Sequence, residues 1–552
     1  MSTDHLFEQF ATLATAPDGI ARLRELILQL AVQGKLGTQD AGDEPSSVLL
    51  EKNRKEKERL IKKGEISKSR ALPKIESEEI PFQVPKNWIW LRLEDVGYNC
   101  GQKVPDKVFT YIDVTAINKE KGLIGDDVNV LQPNEAPSRA RKLVKKGTVI
   151  YSTVRPYLLN IAIVDKDFNP EPIVSTAFAV VHPFEGISNR YLFYYLRSKP
   201  FVEYVESQMT GMAYPAINDQ KFHMGLIPIP PTAEQHRIVA KVDRLMALCD
   251  ELEARQQKER VGCLRLGTAS LAGLQNAEGP KEFERQWAQV CDAFDLILDC
   301  PENVAVLRQT ILQLAVQGRL LRQEPGDEPA QTILKKLQKS RDYSPIESDE
   351  IPYSLPKGWE WERLGTLTKF IDYRGKTPNK ILSGIKLITA KNVRMGYLND
   401  EPREYISSEE YDSWMTRGFP SVGDLLFTTE APMGNIAQIN LTEKFALAQR
   451  VINFHPYEGI FSTFLMYAIM SPFLQSCIEE KSSGVTARGI KAAKLKLIPI
   501  PLPPLAEQHR IVAKVDALMQ LCDALESQLK LRAGVQAMYA GSIVKNIAGG
   551  VQ

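Results

Sequence analysis

The chain carries the same series of sequence blocks twice, and this duplication is the strongest constraint on its fold. ILQLAVQG stands at residues 27–34 and returns 284 residues later at 311–318. AEQHRIVAKVD occurs unchanged at 233–243 and at 506–516, an offset of 273. Because the blocks keep their order, the sequence predicts two related structural halves.

A further pair of matching blocks lies between these repeats. IESEEIPFQVPKNWIWLRL at 75–93 matches IESDEIPYSLPKGWEWERL at 346–364, an offset of 271. Since the offset falls from 284 to 271, the first half has 13 extra residues, which fall within the highly charged segment 51–70. We interpret this segment as a solvated helix or linker; the alternative is an arm that contacts phosphates.

The segments between the shared blocks diverge. Residues 103–130 have no clear counterpart in residues 369–400. A shared frame around dissimilar inserts indicates one scaffold that carries two different recognition surfaces. A duplicated enzyme would more often keep its catalytic residues in both copies.

The two AEQHRIVAKVD segments begin long predicted helices. Apolar residues recur there in steps of 4 and 3, which is a heptad seam, and prolines just before each segment mark the helix start. The first seam comprises Ile238, Val242, Leu245, Cys249 and Leu252, and the second comprises Ile511, Val515, Leu518, Cys522, Leu525 and Leu529. We expect the two seams to pair with each other; the alternative is that each packs on its own globular domain.

The predicted fold class is α+β. Short β-rich runs punctuated by turn residues lie between the helical blocks, and a helix follows them in each half. The β-rich runs are 147–154, 172–181, 423–429 and 450–456, and the helices lie near 189–207 and 462–481. Each intervening domain has roughly 155 residues, within the usual range for one domain.

The formal charges nearly cancel, with 69 Lys and Arg residues against 68 Asp and Glu residues. This balance excludes the globally basic character of many nucleic-acid-binding proteins but leaves local patches open. There is no run of 18 apolar residues and no signal-peptide pattern, so we expect neither a membrane span nor secretion. Seven dispersed cysteines without C-x-x-C favour a reducing cytoplasm over a disulfide framework or a zinc site.

The sequence lacks the usual catalytic signatures, so we expect no chemistry from this chain. The F-x-G-x-G and [DN]-P-P-[YF] motifs of S-adenosylmethionine-dependent amino-methyltransferases do not occur. Gly375-Lys376-Thr377 resembles the end of a P-loop, but Phe370 stands where that loop requires glycine. His236 and His509 occur in both repeats at helix starts, where capping or packing is expected. No metal-ligand cluster stands out.

Positive charge is concentrated in three stretches without an acidic residue, at 136–160, 374–394 and 481–496. All three lie in the divergent domains, whereas the helices and linkers carry much of the compensating acid. Lys and Arg contact phosphates, while Arg, Asn and Gln pair bidentately with base edges. The distribution predicts DNA binding by both divergent domains, although a single charge run is usually only a solvated face.

Together these features resemble the specificity subunit of a type I restriction–modification enzyme. Each divergent domain ends in a proline-rich step into the repeated helix, IPIPPTAEQHRIVAKVD in the first half and IPIPLPPLAEQHRIVAKVD in the second. Each begins with P-K-x-W-x-W-x-R-L. DYRGKTP at 372–378, with Gly423-Asp424 and APMGNIA at 431–437, is similar to a common target-recognition-domain pattern of that family. The first domain departs from this pattern, because RGKTP is absent near Gly101.

The resemblance implies an α+β chain with two target recognition domains, at 75–230 and 345–501, separated by long conserved helices. These helices form an antiparallel coiled coil in a pseudo-twofold internal repeat. The other regions are an N-terminal helical region at 1–36, a charged linker at 37–74, a central helical region with linker at 231–344 and a C-terminal helical region at 502–552.

The resemblance also implies a non-catalytic function in DNA recognition. Each domain reads one half of a bipartite, asymmetric double-stranded DNA target, and the helices dock two methyltransferase subunits. Those partners bring S-adenosylmethionine and methylate adenine. Restriction subunits, which use ATP and Mg²⁺, join to form the nuclease. The chain itself is expected to bind no cofactor and no metal.

The candidate DNA-binding residues are basic, polar or aromatic side chains of the divergent domains. In the first domain they are Arg155, Tyr157, Asn160, Tyr214, Asn218 and Lys221. In the second domain they are Arg374, Lys376, Thr377, Lys391, Asn392, Arg394 and Arg488. Each is a candidate for base readout, with phosphate contact or support of a loop as the alternative.

The predicted helix length matches the repeat of DNA. A helix over residues 233–257 spans roughly 38 Å at about 1.5 Å per residue, which is near one turn of B-DNA. Two readers at this separation can face the same side of the duplex, so the coiled coil is predicted to act as a ruler. The rival interpretations are a coiled-coil protein scaffold without DNA recognition and a self-contained enzyme with an unrecognised active site.

Overall fold

The computed structural model describes residues 13–67, 72–126, 128–337, 343–373, 378–484 and 488–549. The chain divides into two compact units, and both contain helices and strands, so the predicted α+β class is confirmed. The first unit comprises Met1–Gln257 and Arg532–Gln552, and the second comprises Lys258–Leu531. The finer division into six regions stays a prediction.

The first unit begins with two helices and continues into a domain rich in strands. The helices are α1 (Gly19–Val32) and α2 (Ser46–Lys62), followed by strands β1 (Ile89–Arg92), β2 (Gly97–Tyr98), β3 (Phe109–Ile112), β4 (Ile117–Asn118), β5 (Leu123–Ile124), β6 (Asn129–Leu131), β7 (Ala140–Leu143), β8 (Val149–Ser152), β9 (Ile161–Ile163), β10 (Pro172–Ser175) and β11 (Phe178–Pro183). Helices α3 (Asn189–Leu196), α4 (Lys199–Gln208) and α5 (Asp219–Met224) then precede strand β12 (Leu226–Ile229). The charged segment 51–70 is helical as far as Lys62 and buries Asn53 and Leu60, so it is not a wholly solvated linker.

The entry and exit of the first domain lie side by side, because β1 and β12 pair antiparallel with Ile89 opposite Ile229. The remaining strands form a six-stranded sheet, ordered β2-β11-β8-β9-β5-β4, and a four-stranded sheet, ordered β6-β3-β10-β7. The predicted β-rich runs 147–154 and 172–181 are confirmed as β8, β10 and β11. The helix predicted near 189–207 is two helices, since α3 ends before the buried Ser198.

The second unit repeats this plan. Its helices and strands before the divergent domain are α7 (Gly279–Asp292), α8 (Phe294–Leu298), α9 (Glu302–Val316), α10 (Ala330–Lys336) and β13 (Glu360–Arg363), which follow α6 (Thr232–Asn276). The divergent domain contains α11 (Leu364–Leu367), β14 (Thr368–Asp372), β15 (Ile385–Ile388), β16 (Tyr405–Ile406), α12 (Ser408–Trp414), β17 (Leu425–Thr428), β18 (Ile436–Gln438), β19 (Phe445–Leu447), β20 (Val451–Pro456), α13 (Ser462–Met470), α14 (Pro472–Lys481), α15 (Ala492–Leu495) and β21 (Pro499–Leu502). Helix α16 (Leu505–Gly549) follows.

The sheets of the second unit match those of the first at the entry and differ elsewhere. β13 and β21 pair antiparallel with Glu360 opposite Leu502, as β1 and β12 do. The other sheets are ordered β14-β20-β17-β18 and β16-β15-β19. The predicted strands near 423–429 and 450–456 are confirmed as β17 and β20.

Buried hydrogen bonds explain why the repeated blocks keep their residues. The Trp88 indole Nε1 donates to Glu234 Oε2 at 2.8 Å, and Thr38 Oγ1 donates to Glu234 Oε1 at 3.1 Å. In the second unit, Trp359 Nε1 donates to Glu507 Oε2 at 2.9 Å. Because both glutamates are buried at the start of a long helix, each tryptophan bond holds that helix to the residue just before the entry strand of its domain.

A second repeated contact uses the sequence GDEP, which follows both helical blocks at residues 42–45 and 326–329. Arg237 pairs with Asp43, and Arg510 pairs with Asp327, at 3.1 Å for the Nη1–Oδ1 contact. The pairs join the long helix of each unit to the loop after its N-terminal helical block. The repeated blocks are therefore a structural frame, which we call the frame from here on.

Each heptad seam is buried or half-buried, and each packs within its own unit. Ile238, Val242 and Cys249 belong to an apolar cluster that contains the α1 residue Leu23, whereas Ile511 belongs to a separate cluster in the second unit. The expectation that the two seams pair with each other is wrong for these residues. Residues of α1 and α9 belong to the same clusters as the seams, as the alternative interpretation expects, and the first cluster also contains Ile543 and Ile547 of α16.

Candidate nucleic-acid interface

Two adjacent loops of the first domain bring most of its candidate residues together. The first loop, 153–160, joins β8 to β9, and the second, 209–218, joins α4 to α5. Arg155 N donates to Pro215 O at 2.8 Å and Ile217 N donates to Thr153 O at 3.0 Å, so backbone hydrogen bonds join the two loops. We call this pair of loops the first tip.

The first tip holds an arginine and a tyrosine in fixed positions. The Arg155 guanidinium carbon lies 5.2 Å from the centre of the Tyr214 ring, a cation–π arrangement that restricts both side chains. Arg155 has a φ of 48°, which is uncommon for a residue with a side chain. Strained backbone of this kind clusters at functional sites because the surrounding structure must enforce it. Tyr157 and Tyr214 are exposed on the same tip.

The other candidates of the first domain border the tip. The Asn218 side chain caps α5 by accepting from Lys221 N at 2.8 Å, although the residue remains exposed. Lys221 Nζ donates to Gln208 O at 3.4 Å, so its ammonium is partly engaged. Asn160 O accepts from Ser152 N at 2.9 Å and closes the first loop. Lys221 therefore supports the tip, while Arg155, Tyr157 and Tyr214 are its accessible groups.

The second domain has the same pair of loops with different residues. Glu430 and Ser483 both bridge to Gly489, and Ile490 N donates to Thr429 O at 3.0 Å, as in the first tip. Ala431 has a φ of 48° and stands where Arg155 stands in the first unit. We call the described residues of these loops, 429–435, 482–484 and 488–490, the second tip.

Two of the predicted basic residues of the second domain lie in a loop next to the second tip. The Asn435 carboxamide donates to Val393 O at 2.9 Å, which holds loop 389–399 beside loop 429–435. Lys391 is exposed and Arg394 is half-buried in that loop, and Arg488 is exposed in the second tip itself. Arg374, Lys376 and Thr377 lie outside the described residues.

Asn392 is not available for reading bases. Its side chain is fully buried, and its Oδ1 accepts from Thr389 N at 2.9 Å while its Nδ2 donates to Asn399 O at 3.1 Å and Pro402 O at 3.0 Å. The carboxamide therefore braces loop 389–399 from within. The prediction of DNA contact by Asn392 is corrected to a structural role, because burial and saturated hydrogen bonds remove its free edge.

The basic stretches are less free of acid than the sequence indicates, because folding brings carboxylates from elsewhere. The buried Lys142 pairs with Asp219, Lys386 pairs with Asp400, and Lys481 Nζ lies 3.2 Å from Glu350 Oε1. No described acidic residue forms an ion pair with Arg155, Lys391, Arg394 or Arg488. Positive charge therefore remains available at both tips and in loop 389–399, although not throughout each basic stretch.

Sequence reasoning missed exposed residues that complete both tips. Met212 is fully exposed in the first tip beside Tyr214, and Tyr397 is exposed in loop 389–399. Arg450 has a φ of 75°, and its Nε lies 2.6 Å from Glu430 Oε1. The only sequence signal for Met212 and Tyr397 was the preceding glycine, Gly211 and Gly396, because exposed apolar residues have no pattern of their own.

The histidines have structural surroundings. His182 Nδ1 lies 3.0 Å from Thr148 Oγ1, and burial lowers the pKa of His182 to about 4. His455 Nδ1 lies 2.7 Å from Asp424 Oδ1. His236 and His509 are exposed on the first turns of α6 and α16. Among the described residues, no group of three or more His, Cys, Asp or Glu side chains is arranged to hold a metal ion.

No helix in the described part of the chain combines the length and the apolar character that crossing a membrane requires.

Comparisons with known proteins agree with this architecture. A family model described as the type I restriction modification DNA specificity domain matches residues 85–261 and 356–533. The EcoAI specificity subunit of a type I restriction enzyme from Escherichia coli is 32% identical over 95% of this chain and 93% of its own length. The EcoEI specificity subunit, also from Escherichia coli, is 29% identical over the same shares.

A solved structure described as the structural basis of complex assembly and conformational transition of the type I R-M system is also similar. It has 26% identity and a TM-score of 0.51, and the match covers 85% of this chain and 99% of that chain. Each family match begins near an entry strand, β1 or β13, and ends within a long helix, α6 or α16. The chain therefore belongs to the family of type I restriction–modification specificity subunits and carries the family's domain twice.

Proposed function

We propose that this chain directs a type I restriction–modification complex to a bipartite, asymmetric DNA sequence, with each tip reading one half-site. The observation that carries this proposal is the pair of tips, which have the same pattern of backbone hydrogen bonds and different exposed side chains. Arg155 and Tyr214 stand on the first tip, and Arg488, with Lys391 and Arg394 beside it, on the second. Equivalent positions with unlike chemistry are suited to reading unlike sequences.

In this proposal the chain recognises the DNA sequence, and its partner subunits carry out methylation and cleavage. We expect two methyltransferase subunits to bind S-adenosylmethionine, and restriction subunits to use ATP and Mg²⁺, within a cytoplasmic complex. An exposed apolar group on α16 supports protein docking: Val535, Met538 and Tyr539 are 51%, 70% and 56% exposed and recur at helical spacing. Such a stripe in a water-soluble surface favours a helix-mediated contact.

The long helices are proposed to form an antiparallel pair that sets the unread spacer. In the first unit, the apolar cluster of Val242 and Cys249 also contains Ile543 and Ile547. In the second unit, Leu525 packs against the cluster of Leu271. As the residue number rises along α6, the number of the clustered α16 residue falls, which is the pattern of an antiparallel pair. Inserting one heptad into both helices should lengthen the spacer and leave both half-sites unchanged.

Methylome sequencing of a host that expresses this chain with its methyltransferase subunits tests the proposal. Methylated adenines should fall in one bipartite motif with two different halves. A host without any new methylated motif, although the complex forms, would contradict sequence recognition. In that case a filter-binding assay without retained DNA would favour the rival coiled-coil scaffold.

A further inference from the structure

The first unit contains a cavity of 660 Å³ between α1, the entry segment of the domain and α4. Its lining includes Gln29, Glu79, Phe82, Pro200 and Gln208. All the lining residues belong to the first unit. The internal repeat offers a direct comparison, because every one of these positions has a counterpart in the second unit.

The corresponding space in the second unit is filled by an aromatic side chain. Phe473, which replaces Pro200, has its ring centre 5.7 Å from that of Tyr353 and 5.9 Å from that of Trp361. Its backbone N donates to the Gln313 carboxamide oxygen at 3.1 Å. Phe473 thus packs its ring against two aromatic residues that also contact each other, with ring centres 5.2 Å apart, and its backbone N–H donates to a glutamine of the repeated helical block.

The first unit has the equivalent aromatic pair and glutamine but no residue equivalent to Phe473. Phe82 and Trp90 stack edge to face with centres 5.0 Å apart, as the counterparts of Tyr353 and Trp361. Gln29 is the counterpart of Gln313. Because Pro200 has no aromatic ring and no N–H to donate, Phe82 and Gln29 line the cavity without the contacts that Phe473 makes in the second unit.

The first unit also lacks one of the two basic side chains that pair with the equivalent glutamate in the second unit. Glu350 is paired with both Arg363, at 2.6 Å, and Lys481, at 3.2 Å, and these contacts lower its pKa to about 2. Its counterpart Glu79 pairs with Arg92 at 3.0 Å, and the position of Lys481 is taken by Gln208. The side chain of Glu79 is 41% exposed against 24% for Glu350, so Glu79 has room for a second cation.

We propose that this cavity is a docking site for a helix of the methyltransferase partner that inserts an aromatic side chain beside Phe82 and brings a basic side chain to Glu79. This inference rests on the proposed function. The partner's chemistry is defined by α14, where Phe473 and Lys481 stand two turns apart on one helix and fill the equivalent space. The second unit closes its own site, so this contact is made by the first unit alone.

The test copies the second unit into the first. The variant K199P/P200F/Q208K of the full chain reproduces Pro472, Phe473 and Lys481, a set that the second unit already accommodates on the same helix. Calorimetric titration with the purified cognate methyltransferase subunit should show one of two binding sites weakened about tenfold or more, because the site is filled from within. The thermal midpoint of the variant should equal or exceed that of the wild type, since the added ring occupies an existing cavity.

A matched pair of milder variants guards against misfolding. Gln29→Ala should weaken one methyltransferase site about fivefold, whereas Gln313→Ala should leave both sites unchanged, because Phe473 already occupies that carboxamide. If both K199P/P200F/Q208K and Gln29→Ala bind two methyltransferase subunits with wild-type affinity, the docking site is refuted and the proposed function stands. A wild-type chain that binds no methyltransferase subunit refutes both.

Discussion

The two copies of the frame are nearly the same, whereas the two copies of the tip carry different side chains on the same backbone turn. In the frame, the Trp88–Glu234 bond and the Trp359–Glu507 bond have nearly the same length, 2.8 and 2.9 Å, and their glutamates are equally buried. In the tips, the same backbone turn presents Arg155 in one unit and Ala431 in the other. The two repeats keep the same amino acid where its loss would leave a buried polar group without a hydrogen-bond partner. They differ where the side chain faces solvent, because water can then satisfy the polar groups.

The largest effect is expected from breaking the frame. Glu234→Ala leaves the buried Trp88 indole N–H and the Thr38 hydroxyl without their acceptor, which should lower the free energy of unfolding by about 3 kcal/mol. Calorimetry combined with amide hydrogen exchange should locate the loss in the first unit. Glu507→Ala is the matched variant, and its loss should fall in the second unit; equal loosening of both units by either variant would contradict separate frames.

Removing a tip side chain should alter recognition without altering stability. Arg155→Ala should cost about 1–3 kcal/mol of discrimination at one position of one half-site, because a base contact is lost. Methylome sequencing should show that position relaxed while the other half-site is unchanged. Arg488→Ala is the counterpart for the second half-site. Relaxation of both half-sites by one variant would break the assignment of one tip to one half-site.

Acid should affect the second unit more than the first. The Arg363 and Lys481 contacts lower the pKa of Glu350 to about 2, against an ordinary value of 4.5, so its stabilisation is present above pH 4.5 and is lost as the pH falls towards 2. After allowance for solvent screening, about 1–2 kcal/mol should disappear over that window. Denaturant unfolding at pH 5 and pH 3 should show this loss reduced in Glu350→Gln.

The control for the acid effect is Glu79→Gln in the first unit. The backbone hydrogen bond within its turn and the contact with Arg92 also lower the pKa of Glu79, but no lysine stands at the position of Lys481. The change caused by Glu79→Gln should therefore be smaller. An equal or larger change would show that the second cation contributes nothing.

The smallest effect is expected from a phosphate contact beside the second tip. Lys391→Ala should reduce the slope of log affinity against log salt by about 0.9 without changing the methylated motif. Lys386→Ala is the matched control, because Asp400 already neutralises that ammonium. A changed motif in Lys391→Ala would instead assign base readout to Lys391.

Much of the fold could be predicted because it is periodic or repeated. The β-rich runs became β8, β10, β11, β17 and β20, and the repeat predicted two equivalent units. The pairing of the heptad seams was predicted wrongly, because an apolar seam can pack against any apolar helix face and the sequence does not indicate which one. The apolar residues of α1 and α9 were equally suitable partners, and each helix shares a cluster with the seam of its own unit.

The candidate site was predicted only in part. Arg155 and Tyr214 were both selected from the sequence, yet 59 residues separate them, and only the backbone bonds between loops 153–160 and 209–218 bring them together. Asn392 was selected for its residue type, and burial removed it. Met212 and Tyr397 were missed because exposure is a property of the folded loop.

The sequence by itself determined that this chain is a duplicated frame with two divergent inserts and that it belongs to the type I specificity subunits. The duplicated frame follows from block identity, spacing and periodicity, and the family follows from the resemblance of the motifs, so neither conclusion needs knowledge of distant contacts. Only the tertiary structure decided which charges remain free, since carboxylates remote in sequence neutralise Lys142 and Lys386. It alone decided that one unit fills with Phe473 a space that the other leaves open at Pro200, because a cavity depends on residues that meet only after folding.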